Sequence, residues 1–386
     1  MIFCNNCGQP NPDGAKFCSR CGTPLAGGQP AGKVKKSKGS SWLDSLNNYV
    51  GNDNPADLNW RVLFSDVFKS HTPEEAEEIF ICGTKTTTPS PYEVSQDWPH
   101  PWLYSRVLVI LFAVTFLLWI CVTSFGNANA IPGMIVMGSF TVPIATMILF
   151  MEVNAWRNVS VYYVFMTFLV GGGASLVLTL VLYSINNFHS SGYFGAFLIA
   201  LFEETGKAVI VYAFIKKLKK TYILSGMLIG ACVGAGFAAF ESAGYAMNPL
   251  LQFLQQSGFA AAQGVQLSSQ ELFSEINNIM ILRGILAPGG HVAWAAISGA
   301  GIIIAAKARG NFEPGLLLDK HFLKLFLIPI VLHMLWDSPI QNFFYQIFPY
   351  SGVIALLVAV WIVVLILINM GLNEVSAASE SDVQVI

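Results

Sequence analysis

The segment "LFEETGKA", Leu201 to Ala208, sets Glu203, Glu204 and Lys207 inside an otherwise apolar run, Phe194 to Phe214. On a helix Lys207 lies four residues from Glu203 and three from Glu204, so its ammonium reaches either carboxylate. One Glu–Lys pair neutralises itself. The second carboxylate needs a metal, a proton or a polar group from elsewhere in the fold. A buried carboxylate of that kind can activate water, hold a divalent ion or relay protons. Three later segments offer partners. Glu241 follows Gly226, Gly230 and Gly234, whose four-residue spacing lets a second helix approach closely, and Phe237 and Glu241 fall near that stripe. His291 shares a helical face with Ala295 and Ser298, again a close-packing surface. "LHMLWDSP" sets Asp337 one turn after His333, a spacing at which a carboxylate fixes a histidine's tautomer or shares a ligand with it. A lone histidine in an apolar helix is more often packed than ligating, but four successive segments carry these groups. His189 and His321 fall in loops and read as ordinary.

The elements that must position these groups are membrane helices. The 386 residues are 54% hydrophobic and 11% charged, with a mean hydropathy of +0.56, outside the range of a soluble domain. The apolar excess follows residue 100 and divides into runs of about 20 residues, enough to cross a bilayer. The expected fold is an all-α polytopic membrane protein with eight transmembrane helices near 102–124, 131–152, 160–184, 193–215, 222–246, 286–307, 323–341 and 350–371. The polar N-terminus does not read as a cleavable signal peptide. Lys216, Lys217, Lys219 and Lys220 follow the fourth span, and Lys307, Arg309, Lys320 and Lys324 lie around the sixth-to-seventh connection. Loops 125–130, 185–192 and 342–349 hold no Lys or Arg, and 247–285 holds only Arg283. That asymmetry puts both termini in the cytosol. The polar residues then fall between the midplane and the outer leaflet, where one pocket could hold them all.

Ahead of the membrane, "CNNCGQPNPDGAKFCSRCG" spaces Cys4, Cys7, Cys18 and Cys21 as two CxxC knuckles. Four thiolates so placed form a closed structural zinc shell, a zinc ribbon over 1–24. The alternative, two disulfides, fits poorly with a cytosolic location. A closed shell has no open position for catalysis, so the ribbon's role is structural or that of a docking surface for a cytosolic protein partner. Residues 25–41 form a flexible basic linker, and 42–100 a cytosolic helical segment in which Thr72, Pro73 and Glu75 mark a helix start. The membrane helices occupy 101–372, and 373–386 reads as a disordered tail. Cys82, Cys121 and Cys232 stand singly and read as small apolar residues. No nucleic-acid partner is expected.

Taken together, "EETGK", "FAAFE" and the later His291 and His333 resemble the PrsW-type intramembrane proteases of the CAAX-protease superfamily, over about residues 100–370. The related branch carries EExxxR and FxxxH; here Lys207 is the basic residue and Glu241 stands for the histidine, both as expected of the PrsW branch. The resemblance implies a membrane-embedded endopeptidase in the plasma membrane of a bacterium. Its substrates would be membrane-tethered, single-span proteins, with an anti-sigma factor in regulated proteolysis as one class. It also implies a site built from Glu203, Glu204, Lys207, Glu241, His291 and His333, to which the one-turn spacing adds Asp337. Two mechanisms stay open: a divalent metal, zinc above all, held by Glu241, His291 and His333, or carboxylate and imidazole catalysis without metal. In both, Glu204 or Glu203 is the general base and Asp337 orients His333. Two rival functions use the same residues: a non-catalytic scaffold, as in the γ-secretase subunit of the superfamily, and a proton-coupled transporter.

Overall fold

The computed structural model describes residues 2–3, 10–11, 41–52, 54–55, 57–186, 192–262 and 269–383. Cys4, Cys7, Cys18, Cys21, the linker to residue 40 and His189 lie outside the described residues. The chain forms two compact units, Met1–Leu46 and Asn47–Ile386. In the first, β1 (Ile2–Phe3) and β2 (Pro10–Asn11) make a short antiparallel ladder pairing Ile2 with Asn11. Helix α1 is Ser41–Val50.

The second unit is helical. Helix α2 (Pro73–Phe80) begins as its sequence demands: Thr72 accepts from the Glu75 backbone N–H, and the Glu75 carboxylate accepts from the Thr72 N–H. The long apolar helices follow: α3 (Leu103–Thr123) and α4 (Ile131–Val153), then α5 (Val161–Met166) continuing through a π-helical turn at Thr167–Gly171 into α6 (Gly172–Asn186). After these come α7 (Gly192–Leu218), α8 (Ile223–Ala262), α9 (Ser269–Leu286), α10 (His291–Arg309), α11 (Lys320–Asp337), α12 (Ile340–Ile347) and α13 (Ser351–Val383).

Helix α8 is the hub, packing against α4, α6, α7, α9 and α10. Its glycine stripe does what the spacing predicts. A Cβ on Gly230 would run into the backbone of Ala295 and Ala296, and one on Gly234 would meet the Ala295 methyl, so α8 and α10 touch backbone to backbone. This contact carries Glu241 on α8 and His291 on α10 into one neighbourhood.

Several expectations are corrected. Residues 247–262 and 269–285 are helical and not a loop: α8 runs through Pro249 to Ala262, and α9 begins at Ser269. Asn, Gln and Ser dilute the hydropathy of this stretch, yet Leu272, Ile276 and Met280 repeat every four residues. They bury themselves against Val122, Ile131, Met134, Ile135 and Ala246. The span expected at 323–341 ends at Asp337, because Pro339 pushes Ser338 out of helical backbone to ψ 156°; the loop expected at 342–349 mostly forms α12, bent 64° from α11. The last helix reaches Val383, past the expected start of a disordered tail. Its Glu374 is tied to Lys307 and accepts from the Ile223 N–H.

Among the described residues, six helices are long and apolar enough to cross a membrane, or seven if α11 and α12 form one broken span. Eight is the number the sequence led us to expect, and α7, with Glu203, Glu204 and Lys207 inside it, is not among those counted. The protein is a multi-pass membrane protein.

Candidate active site

Helix α7 presents Glu203, Glu204 and Lys207 to α8, α10 and α11 rather than to lipid, and all three are buried. Lys207 is fully enclosed, its ammonium 4.4 Å from the centre of the Phe237 ring and 5.8 Å from that of Trp294. It donates to Glu204 Oε1 at 2.7 Å and lies 2.7 Å from His291 Nδ1. Glu203 Oε2 is farther, at 3.9 Å. An ammonium has no acceptor, so Nδ1 of His291 must accept and its Nε2 carries the hydrogen. That hydrogen points at Glu241 Oε2, 2.9 Å away.

His333 sits between carboxylates. Its Nδ1 is 2.8 Å from Glu204 Oε1, and its Nε2 is 3.1 Å from Asp337 Oδ2 and 3.8 Å from Glu203 Oε2. The one-turn His-Asp spacing therefore makes the contact it allows. Trp294 stacks on the His333 ring with centroids 4.4 Å apart and fixes its plane. Glu203 is oriented by Tyr183 on α6, whose hydroxyl donates to Oε1 at 2.7 Å. The other oxygen, Oε2, is buried without a hydrogen-bond partner, as is Oε2 of Glu204.

These groups meet at a cavity of about 930 Å³ lined by Glu203, Glu241, His291, His333 and Asp337. Glu204 and Lys207 lie behind that lining. Exposed Leu180 on α6 and exposed Leu282 on α9 also face it. The expected residues from α7, α8, α10 and α11 thus come together. Two contributors escaped the sequence reading. Tyr183 gave no signal, since an aromatic near a helix end resembles an interfacial anchor. Arg283 did give one, a lone cation in "IMILRGIL", in a stretch whose hydropathy reads as a loop; it lines the cavity and pairs with Glu241.

Residues 159–368 match the family described as PrsW family intramembrane metalloprotease, more than half of the chain. The chain belongs to the PrsW family. It is therefore a membrane-embedded protease, acting in a lipid bilayer on membrane-protein substrates. Residues 3–25 match a zinc-ribbon domain, so this PrsW member carries an N-terminal ribbon. No curated protein sequence and no solved structure matches the chain.

The family name implies a metal, and the donors can be judged against it. Glu203, His291 and His333 offer ligand atoms within 4.8 Å of one another. The unpartnered Glu203 Oε2 lies 3.9 Å from His291 Nδ1 and 3.8 Å from His333 Nε2. One carboxylate and two imidazoles are a catalytic zinc donor set. The donor types fit a divalent ion once Lys207 gives up His291 Nδ1 and Asp337 gives up His333 Nε2, with Glu203 rather than the expected Glu241 completing the triangle, because Glu241 meets the opposite nitrogen of His291.

Proposed function

We propose that this protein hydrolyses peptide bonds of single-span membrane proteins in the cavity between α6, α7, α8, α9, α10 and α11. The observation that carries this reading is a buried carboxylate oxygen without a partner, facing two imidazoles across a cavity large enough for a peptide segment. Few structural roles leave such an oxygen unsatisfied in an apolar bundle.

Hydrolysis needs a proton acceptor for water, a stabiliser for the oxyanion and a donor for the departing amine. Glu203 lines the cavity and accepts the water proton at Oε2, while Tyr183 holds its other oxygen. His333 donates to the departing amine, with Asp337 and Glu204 fixing its ring. Lys207 neutralises Glu204 and keeps the Nε2–H tautomer of His291. When a divalent ion is bound by Glu203, His291 and His333, it supplies Lewis-acid polarisation of water or carbonyl. With Glu203 and His333 serving as ligands, Glu204, whose Oε2 is also unpartnered, would accept the water proton and return it to the departing amine. Exposed Leu180 and Leu282 favour an apolar segment entering from the bilayer.

In the same reading Cys4, Cys7, Cys18 and Cys21 hold a structural zinc in a ribbon over 1–24 that docks a cytosolic protein. A linker over 25–41 and a cytosolic segment over 42–100 lead to a domain at 101–372. That domain crosses a bacterial plasma membrane eight times, with both termini cytoplasmic. An anti-sigma factor is a fitting substrate class.

The test is purified protein incubated with candidate single-span proteins, wild type against Glu204→Gln. Wild-type cleavage with a folded, inert variant supports the proposal. Equal cleavage by both removes this site from the reaction, and Glu204→Gln that loses its assembly instead points to a scaffold.

A further inference from the structure

Arg283 is the only Lys or Arg among the described residues lining the cavity, and nothing in the motifs that define the site includes it. It arrives on α9, the helix not expected from hydropathy, held in place by the Leu272–Ile276–Met280 stripe. All its cavity-side contacts are with α8. The guanidinium Nη2 pairs with Glu241 Oε2, Nε donates to Ser242 Oγ at 2.9 Å, and the guanidinium carbon lies 4.4 Å from the centre of the Tyr245 ring.

The Glu241 oxygen that takes Arg283 is the same one that accepts from His291 Nε2. One carboxylate atom therefore joins α8, α9 and α10. Glu241 holds His291 in the Nε2–H form, the tautomer that turns the Nδ1 lone pair toward Glu203 and Lys207. Either an ammonium hydrogen bond or an ion at Nδ1 requires that form. Glu241 shares its cavity with the carboxylates of Glu203 and Asp337, so without a cation it would be repelled from its place. Arg283 is the cation in direct contact with it.

We propose that Arg283 is a positioning residue for the reaction, acting through Glu241 to fix the tautomer and orientation of His291. The inference rests on the cavity being the hydrolytic site. A merely structural Arg283 would fasten α9 to α8 and affect stability alone.

The test uses the purified full-length protein and a cleavable single-span substrate, comparing wild type, Arg283→Gln and Arg283→Lys. Ring-nitrogen spectra of ¹⁵N-histidine-labelled protein are recorded in parallel, with His291 assigned by substitution. Arg283→Gln should lower kcat about 10- to 100-fold, as for other residues that orient a ligating histidine, with KM unchanged and the His291 pattern altered. Arg283→Lys should recover part of the loss, since an ammonium restores the charge but not the forked contact. It also carries the comparison if Arg283→Gln does not fold. In a Glu241→Gln background, Arg283→Gln should alter the His291 pattern no further. Wild-type kcat in Arg283→Gln, or lost kcat with an unaltered His291 pattern, overturns the proposal. Failure of the wider reading is distinct: it is cleavage that survives Glu203→Gln.

Discussion

Two glutamates set among the apolar helices, Glu152 half-buried and Glu203 buried, meet opposite fates. Glu152, at the end of α4, accepts three backbone N–H groups from Trp102, Leu103 and Tyr104, using both of its oxygens. Those N–H groups open α3, where no side chain of the helix itself serves as cap. Glu203, on α7, accepts one hydroxyl on Oε1 and leaves Oε2 without a partner beside two imidazoles. One carboxylate is consumed by the fold, and the other is held ready by it. What sets Glu203 apart is an unpartnered oxygen beside two imidazoles, not its position among the helices.

That contrast can be attacked at either end. Glu152→Ala should cost about 3 kcal/mol of stability, since three helix-opening N–H groups lose a charged acceptor; denaturation in detergent measures it, and kcat per folded molecule should not change. A loss of kcat there would erase the distinction. Asp337→Asn should lower kcat about 10- to 100-fold with unfolding nearly unchanged, because the amide loses the negative charge that holds and orients His333 Nε2–H; steady-state kinetics with a melting curve decide. The smallest effect belongs to Glu152→Gln. It keeps one acceptor oxygen and should cost about 1 kcal/mol in the same unfolding experiment.

Much of the site was legible because charges inside apolar runs have few explanations. "EETGK" announced a buried pair with one carboxylate in excess, and the Gly226–Gly230–Gly234 spacing announced the helix contact that brings His291 to Glu241. The Thr72–Glu75 capping box was equally plain, since its geometry is local. What stayed hidden depended on distant packing. Helix α9 alternates apolar with amide and hydroxyl residues, so its buried stripe becomes visible only against α4 and α8. Arg283 was hidden with it. Tyr183 could not be singled out, because nothing in its own segment indicates that its hydroxyl will meet Glu203 on α7. The exchange of Glu241 for Glu203 in the histidine triangle followed from which imidazole nitrogen each one faces, a matter of ring orientation that spacing does not specify.

The central claim is that Glu203 belongs to the chemistry and not to the scaffold. Its most direct measurement is cleavage of a membrane-embedded single-span substrate by purified Glu203→Gln, read beside its melting temperature. The account predicts product formation reduced by about 10²- to 10⁴-fold at an unchanged melting temperature. Wild-type cleavage by Glu203→Gln would contradict it.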